Sequence, residues 1–471
     1  MRREIIVLFL LIITILTFLM PRSYFSEGMV WIYIAMGVVC ALSFFFVKEC
    51  DNNIRMIFLR PSFLFVIAYL IVFFQRPADY LLGYVSGYIK IGEVQFMLTS
   101  LNYAVVGLCL FIIGYLIESK KSTSGRNIWF HTNIVSLNIY AVLSSVLIVL
   151  VLLLVPKEVL MGGYSNDMLT NASIYNYLAS WSNTILIAYI VQFTINAKQT
   201  RKLEGCSVIR YLRGVGIWQN ANVIVYTLII LNVGDRGPLV VMVFSYYLSY
   251  IIVSNRKLSK ILIMIAFCLG IVVTSILGNT KQYRDNNTIM DRLTSLYENQ
   301  DNQPKESFLP ATEQLSGSYC CLPISLQMVP EHEDFSYGAS TFSDLVSGIP
   351  FAGRFFHLPA STSYRISRYA MGEDFSFGLG TNCLAALYMD GGLFFIILGM
   401  FVFGIVLRKF EVCIFSGTAS SFFVFCMAFY FLTRVVYIPR SSLLSPFKYA
   451  LWMYLIMSLI SYLSAKRRRS S

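Results

Sequence analysis

Long uninterrupted apolar runs are the feature that most constrains how this chain folds. They recur from the N-terminus to the C-terminus, and each is about 16–20 residues long. A helix of that length crosses about 30 Å of hydrocarbon, whereas the strands of a membrane β-barrel are shorter and alternate polar with apolar residues. Only 13% of the residues are charged, against about 25% in soluble domains. The pattern predicts an all-α polytopic membrane protein.

We predict about twelve transmembrane helices from these runs. The first run follows MRRE and could pass for a signal peptide, but it lacks a small-residue cleavage site. We therefore expect it to be a retained helix. The predicted spans are 5–20, 28–47, 61–75, 98–117, 134–155, 176–196, 216–233, 238–254, 261–279, 392–407, 419–436 and 449–465.

The distribution of Lys and Arg predicts the orientation. With the N-terminus in the cytoplasm, the inner segments carry about 22 of these residues and the short outer segments about eight, as the positive-inside rule requires. Both termini are then cytoplasmic. The net charge of +12 is explained by this topology and does not call for nucleic acid.

One segment, residues 280–391, is long, polar and predicted to lie outside. It divides the chain into helices one to nine (1–279), a large periplasmic loop (280–391) and helices ten to twelve (392–471). A loop of that length is usually functional. Its first part is typical of an amphipathic or solvent-exposed helix, and its later part is predicted to be irregular. The aromatic residues there suit either sugar rings or packing of the loop on itself.

The turn GDRGP, residues 234–238, joins two predicted helices on the outer side. Arg236 is not a topology signal, because it lies on the side that the positive-inside rule leaves poor in cations. Its side chain either snorkels to a lipid phosphate or binds an anionic ligand, which the planar guanidinium suits. Asp235 is expected to orient Arg236 or to cap the next helix.

Further arginines are predicted on the same outer side. A charged residue within a membrane helix is costly and usually faces a cavity. Arginines that converge from separate outer segments would suit a lipid pyrophosphate, with its charges at the surface and its tail between helices. These residues are Arg354, Arg365 and Arg368 in the loop, Arg434 at the end of the eleventh helix, and Arg440 just beyond it.

Cysteine and histidine add little. Most of the ten cysteines lie in apolar runs, where Cys behaves as a small hydrophobe. A disulfide from Cys383 to Cys320 or Cys321 is weakly indicated. With three histidines and no zinc-type spacing, we expect no metal site.

Several segments together resemble the O-antigen polymerases, the Wzy-type oligosaccharide repeat-unit polymerases. They are GDRGPLVV, the large outer loop, FGLGTNCLAALYMDGGLFFIILGMFVFGIV and IPRSSL. The third is similar to the family's F-G-x-G pattern, followed by a small and apolar run with Tyr, an acid and Gly-Gly. The resemblance implies a GT-C-like fold in the bacterial inner membrane that joins undecaprenyl-pyrophosphate-linked repeats. It also implies functional association with a flippase and a chain-length regulator.

In such a reaction, a sugar hydroxyl on one lipid-linked repeat attacks the anomeric carbon of another chain and the pyrophosphate lipid leaves. Fixed cations would stabilise the charge on the leaving group, and no cofactor is expected, because no Gly-rich nucleotide loop or outer D-x-D pair is present. His357 is a candidate general base or a structural residue, with Glu373, Asp374 and Asp390 as rivals. The catalytic candidates are Arg236, His357, Arg365, Arg368 and Arg440, and the substrate-binding candidates are Asp235, Arg354, Arg434 and Asp374.

Three other functions stay open. A lipid-linked oligosaccharide flippase should carry its charges within helices that line a central cavity, and a secondary transporter should show two similar halves. An O-antigen ligase shares the large outer loop and the arginines. The late position of the loop and the GDRGP turn favour the polymerase, by resemblance alone.

Overall fold

Helices make up most of the described chain, in agreement with the all-α prediction. In the computed structural model, the described residues are 3–20, 25–47, 60–84, 94–118, 126–127, 135–155, 160, 168–233, 237–255, 307–346, 360–373 and 378–470. Extended pairing within these ranges is limited to two short strands, β1 (Arg126–Asn127) and β2 (Thr418–Ala419), which are antiparallel.

The helices follow the apolar runs closely. In chain order they are α1 Arg3–Leu19, α2 Glu27–Phe45, α3 Pro61–Leu81, α4 Met97–Ile117, α5 Leu137–Leu154, α6 Met168–Thr200, α7 Val208–Val215, α8 Ile217–Val233, α9 Gly237–Ser254, α10 Glu313–Ser316, α11 Cys321–Met328, α12 Ala339–Val346, α13 Thr362–Met371, α14 Cys383–Ser416, α15 Phe422–Arg434 and α16 Phe447–Ser470. A π-helical turn, Ile71–Gln75, interrupts α3. Short 3₁₀ helices occupy Pro310–Thr312, Gly317–Cys320 and Ile438–Arg440.

Seven of the described helices are long and apolar enough to cross a membrane. They are α2, α3, α4, α5, the Tyr177–Thr200 part of α6, α9 and α14, and the bent pair α7–α8 would add an eighth. The chain is therefore a multi-pass membrane protein. The predicted total of about twelve spans is not confirmed: the predicted span 261–279 lies outside the described residues, and α15 has 13 residues.

The chain forms two compact units. Unit 1 comprises Met1–Ser122, Pro304–Glu411 and Val435–Lys448, and unit 2 comprises Thr123–Gln303, Val412–Arg434 and Tyr449–Ser471. The predicted boundaries after residues 279 and 391 follow membrane topology rather than packing, and they stay predictions.

The later part of the predicted outer loop, which we expect from the sequence to be irregular, contains two helices instead. Helix α13 begins after Ser361, whose side chain accepts a hydrogen bond from the Tyr364 backbone N–H at 3.3 Å. Helix α12 is capped by a residue from a distant segment, Asp390. The Gly, Pro and Ser content of this region is typical of irregular structure, and a cap supplied by a remote side chain leaves no local sequence signal. The predicted amphipathic or exposed helix at 280–307 lies, apart from Ser307, outside the described residues.

Helices α4 and α14 touch through their backbones in unit 1. A Cβ atom built on Gly404 would lie 2.1 Å from the Phe111 carbonyl oxygen, and one built on Gly114 would lie 2.1 Å from the Phe401 carbonyl oxygen. Membrane helices use glycine in this way, because close backbone contact replaces the hydrophobic effect as the source of packing energy. The pair holds the middle of α14, a helix that begins earlier than predicted, against α4.

A buried polar cluster joins the other end of α14 to α3 and α4. The Glu411 carboxylate accepts hydrogen bonds from the Ser62 backbone N–H at 2.7 Å and from the Tyr115 hydroxyl at 2.5 Å. The Arg408 guanidinium donates to the same hydroxyl at 3.0 Å. Because Glu411 and Arg408 are 0% and 2% exposed, each charge depends on these partners instead of water.

Replacing Glu411 with glutamine is expected to lower the free energy of unfolding by about 1.5–3 kcal/mol, since hydrogen bonds to a charged group become weaker neutral ones. The measurement is thermal unfolding of the purified protein in detergent. Lys409→Gln is the control: Lys409 is exposed and forms a 3.6 Å ion pair with Glu118, and loss of an exposed pair costs about 0–1 kcal/mol. Equal losses in the two variants would contradict the assigned role of Glu411.

Candidate functional site

The structure describes four of the nine predicted site residues. These are Arg365, Arg368, Arg434 and Arg440. The other five, Asp235, Arg236, Arg354, His357 and Asp374, lie outside the described residues. The two rival bases Glu373 and Asp390 are described.

Arg365 and Arg368 lie one helical turn apart on α13 and reach the same carboxylate. The Arg365 guanidinium lies 2.6 Å from one Glu333 carboxylate oxygen, and Arg368 lies 3.5 Å from the other. Residues three apart on a helix share a face, which is why both side chains converge on Glu333. Two of the predicted arginines are thus brought together, by a partner that the sequence did not indicate.

The two arginines have different surroundings. The Arg365 side chain is 13% exposed, and it also donates to the Ser336 hydroxyl and, at 3.4 Å, to the Asp334 carbonyl oxygen. These bonds use most of its five donors. The Arg368 side chain is 44% exposed and contacts Glu333 at a longer distance. Arg365 therefore ties α13 to the segment before α12, whereas Arg368 presents its guanidinium to the solvent.

The motif FGLGTN attaches α13 to the start of α14. The Asn382 side chain accepts from the Ala385 backbone N–H at 2.8 Å, which caps α14, and donates to the Ser318 carbonyl oxygen at 2.8 Å. The Leu379 backbone N–H donates to the Ser367 hydroxyl of α13 at 2.9 Å. Gly380 has φ of +81°, a conformation that glycine adopts without strain. These contacts link α13, which carries Arg365 and Arg368, to the start of α14.

Asp390, in the motif MDGG, caps α12. Its carboxylate accepts from the backbone N–H groups of Ser340 at 3.1 Å and Thr341 at 3.0 Å, and from the Thr341 hydroxyl. It is 0% exposed. A carboxylate that accepts three hydrogen bonds without contact with solvent is poorly placed to take a proton from a substrate, so a structural role accounts for this acid. Gly392, at φ +64°, allows the kink in α14 that follows.

A second carboxylate, Asp344 on α12, was not among the predicted site residues. It accepts a hydrogen bond from the Ser442 hydroxyl, 98 residues later in the chain. Burial raises the pKa of the Asp344 carboxyl above its usual range, the nearby Asp390 carboxylate raises it further, and the Ser442 hydrogen bond opposes both. Asp344 is half-buried, so it keeps some contact with solvent.

Arg440 lies in the same unit, two residues before Ser442. It ends the 3₁₀ helix Ile438–Arg440 and is exposed. The Ser442–Asp344 hydrogen bond therefore fastens the turn that carries Arg440 to α12. The Glu333 segment is joined to α14 at Met389, because the Ser336 backbone N–H donates to the Met389 carbonyl oxygen at 2.8 Å. The next residue, Asp390, caps α12. We call Glu333, Asp344, Arg365, Arg368, Arg440 and Ser442 the outer cluster, after the side on which the sequence predicts them. Within it, Glu333 contacts Arg365 and Arg368, and Asp344 contacts Ser442.

Arg434 has a different environment, in unit 2. Its guanidinium carbon lies 4.3 Å from the centroid of the Tyr449 ring and 5.5 Å from that of Tyr430. The two rings are stacked, with centroids 6.1 Å apart. A cation–π contact of a half-buried arginine is worth about 1–2 kcal/mol. This contact stabilises the charge at the end of α15.

The suggested disulfide from Cys383 is not formed. Cys320, Cys321 and Cys383 are free thiols, and all three are buried. Their positions in helices with apolar surroundings agree with the alternative that Cys acts as a small hydrophobe. Within the described ranges, no group of three or more His, Cys, Asp and Glu side chains is arranged to hold a metal ion.

Comparison with known proteins gives one result for the whole chain. The family model described as O-antigen polysaccharide polymerase Wzy matches residues 3–467. No curated protein and no solved structure matches the chain. The matched range covers nearly all of both compact units and contains every residue of the outer cluster. The chain therefore belongs to the O-antigen polysaccharide polymerase Wzy family.

Proposed function

We propose that this polymerase joins undecaprenyl-pyrophosphate-linked oligosaccharide repeats at the periplasmic face of the bacterial inner membrane, with arginines of the outer cluster stabilising the pyrophosphate as it leaves. Membership of the family already makes it an O-antigen repeat-unit polymerase, a glycosyltransferase-like membrane enzyme that acts on lipid-linked repeats. The observation that carries the finer proposal is the pairing of an anchored arginine, Arg365, with an exposed one, Arg368, on a shared carboxylate.

Arg368 and Arg440 are the residues proposed to contact the pyrophosphate. Both are exposed, so their donors are accessible to phosphate oxygens, which a guanidinium binds in a bidentate manner. Arg365 is proposed as a positioning residue, because its donors are directed to Glu333, Ser336 and Asp334. Cations fixed before the reaction stabilise the developing charge without reorganisation.

Asp344 is proposed as the general base. The proton of the attacking sugar hydroxyl passes to the Asp344 carboxylate as the hydroxyl oxygen bonds to the anomeric carbon of the donor. The bond from that carbon to the pyrophosphate oxygen breaks, and the lipid pyrophosphate leaves with the electron pair. A raised pKa makes a carboxylate a stronger base near neutral pH, and the Ser442 hydrogen bond orients it.

The remaining predictions are kept as parts of the proposal. Arg236 keeps its predicted catalytic role, Arg354 keeps its predicted substrate-binding role, and His357 is the alternative base. Asp235, Asp374 and Arg434 keep their predicted substrate-binding roles. We also propose a GT-C-like fold, cytoplasmic termini and a metal-independent reaction. Functional association with a flippase and a chain-length regulator is part of the same proposal.

A lipopolysaccharide gel from a strain lacking the gene tests the proposed function. We expect the long ladder to disappear while core plus one repeat remains, because ligation of a single repeat does not need the polymerase. The same strain carrying the intact gene on a plasmid is the control, and it should regain the ladder. Loss of every repeat, including the single one, would support the ligase or flippase alternatives, and an unchanged ladder would rule out a role in lipopolysaccharide.

A further inference from the structure

Helix α7 meets α8 at a sharp corner in unit 2. The two helix axes are bent by 93° at a one-residue break, Gly216, which has φ of +100°. Side chains fix the corner: the Asn220 amide donates to the Leu212 carbonyl oxygen at 2.8 Å, and the Tyr189 hydroxyl donates to the Val215 carbonyl oxygen. If α8 crosses the membrane, α7 lies close to parallel with its surface.

One face of α7 is packed against unit 2 and sets the rotation of the helix. Tyr211 and Val215 are each 1% exposed. The Tyr211 ring makes edge contacts with Phe193 and Tyr250, with centroids 5.6 Å and 5.4 Å apart. Because this face is held by large side chains, the orientation of the other faces is determined as well.

The apolar surface of α7 continues beyond what unit 2 covers. Ile209 is 66% exposed and Leu212 is 38% exposed. Arg210 and Arg213 are exposed beside them. A helix with uncovered apolar residues flanked by arginines is typical of one that lies in a membrane interface, with its apolar side at the acyl boundary and its cations at the level of the headgroups.

A tryptophan of the kind found at membrane–water interfaces lies at the corner between α7 and α8. Trp218, at the start of α8, is 63% exposed, and its indole N–H donates to the Ser145 hydroxyl at 2.9 Å. Tryptophan collects where hydrocarbon meets the polar headgroups, because its ring is apolar and its N–H needs a partner. Its neighbour Ile217 is 88% exposed.

We propose that α7 binds the phosphodiester headgroups of anionic phospholipids in the cytoplasmic leaflet through Arg210 and Arg213. The charge of the segment supports this occupant: residues 198–216 contain five Lys and Arg residues and one acid, Glu204. The sequence places this segment on the cytoplasmic side, where anionic lipids attract basic juxtamembrane residues. This inference does not depend on the proposed reaction at the outer cluster.

Thermal unfolding of the full-length protein in a nonionic detergent tests the proposal, with dioleoylphosphatidylglycerol or dioleoylphosphatidylcholine added at matched concentrations. A ligand that binds the folded state raises the melting temperature. We expect phosphatidylglycerol to raise it more than phosphatidylcholine, and the difference to shrink at high salt. The double variant Arg210→Gln/Arg213→Gln should lose most of this difference and melt like wild type without lipid, since both side chains are exposed.

The double variant Lys257→Gln/Lys260→Gln is the matched control, because it removes the same charge from the next predicted cytoplasmic segment. It should respond to phosphatidylglycerol as wild type does. Equal responses to the two lipids, or a wild-type response from the α7 variant, would overturn the proposal. A response to inorganic phosphate as large as that to phosphatidylglycerol would overturn the assignment to lipid.

Discussion

Replacing Asp344 with asparagine is expected to lower the rate of polymerisation by about 10²–10⁴-fold, the usual contribution of a general base, while leaving the protein at least as stable as wild type. Asparagine has nearly the same shape and retains an oxygen that accepts the Ser442 hydrogen bond, but it cannot take up a proton from a sugar hydroxyl. Loss of activity without loss of stability separates a functional carboxylate from a structural one.

The direction of the stability change follows from the pKa of Asp344. Burial raises this pKa above the ordinary value of an aspartate, so the folded protein favours the protonated carboxyl. The contribution of the neutral Asp344 carboxyl to the stability of the folded protein is fully present below the unfolded-state pKa. It is lost as the pH rises through the raised pKa of the folded state. Wild type should therefore melt at a lower temperature than Asp344→Asn at neutral pH, and the difference should vanish in acid.

Polymerisation of purified lipid-linked repeats by the purified enzyme measures the rate. Wild-type activity should fall in acid as Asp344 is protonated. Ser442→Ala should move that acidic limb to higher pH, because the Ser442 hydrogen bond opposes the rise of the Asp344 pKa. Asp334→Asn is the control, since Asp334 is an exposed carboxylate next to Glu333, and it should leave the rate unchanged. Full activity in Asp344→Asn would remove Asp344 from the mechanism.

Replacing Arg368 with alanine is expected to lower the rate of polymerisation by about 10²–10³-fold, or about 2–4 kcal/mol in the transition state. The proposed reason is the loss of a fixed cation beside the leaving pyrophosphate. Arg368→Lys should recover part of the rate, because a lysine keeps the charge but not the planar fork that binds two phosphate oxygens. On a lipopolysaccharide gel, Arg368→Ala should shorten or abolish the ladder.

The ion pair of Arg368 with Glu333 does not explain such a loss by itself. The pair is 3.5 Å long and the Arg368 side chain is 44% exposed, and exposed pairs contribute about 0–1 kcal/mol to stability. The amount of folded protein should therefore match wild type, as measured by size-exclusion chromatography. Lys409→Ala, which also removes an exposed cation, should keep the full ladder. If Arg368→Ala keeps it too, Arg368 does not contact the pyrophosphate.

Some features of the site could be predicted from the sequence and others could not. Arg365 and Arg368 are three residues apart, so their shared helical face follows from local geometry once α13 is recognised. Their partner Glu333 lies 32 residues before Arg365, and no local pattern connects the two. The acid of MDGG was considered as a base, yet in the folded chain it caps α12, 49 residues earlier in the sequence.

The sequence by itself determined the class of this protein, the positions of most of its helices and its family, and it predicts that several arginines lie on the outer side. Those features depend on apolar runs, charge counts and short motifs, in which neighbouring residues act together. Only the tertiary structure decided which arginine is anchored and which is exposed, and that Asp344 rather than Asp390 keeps contact with solvent. These properties depend on which distant groups fill the hydrogen bonds of each side chain, and that is settled only when the helices pack.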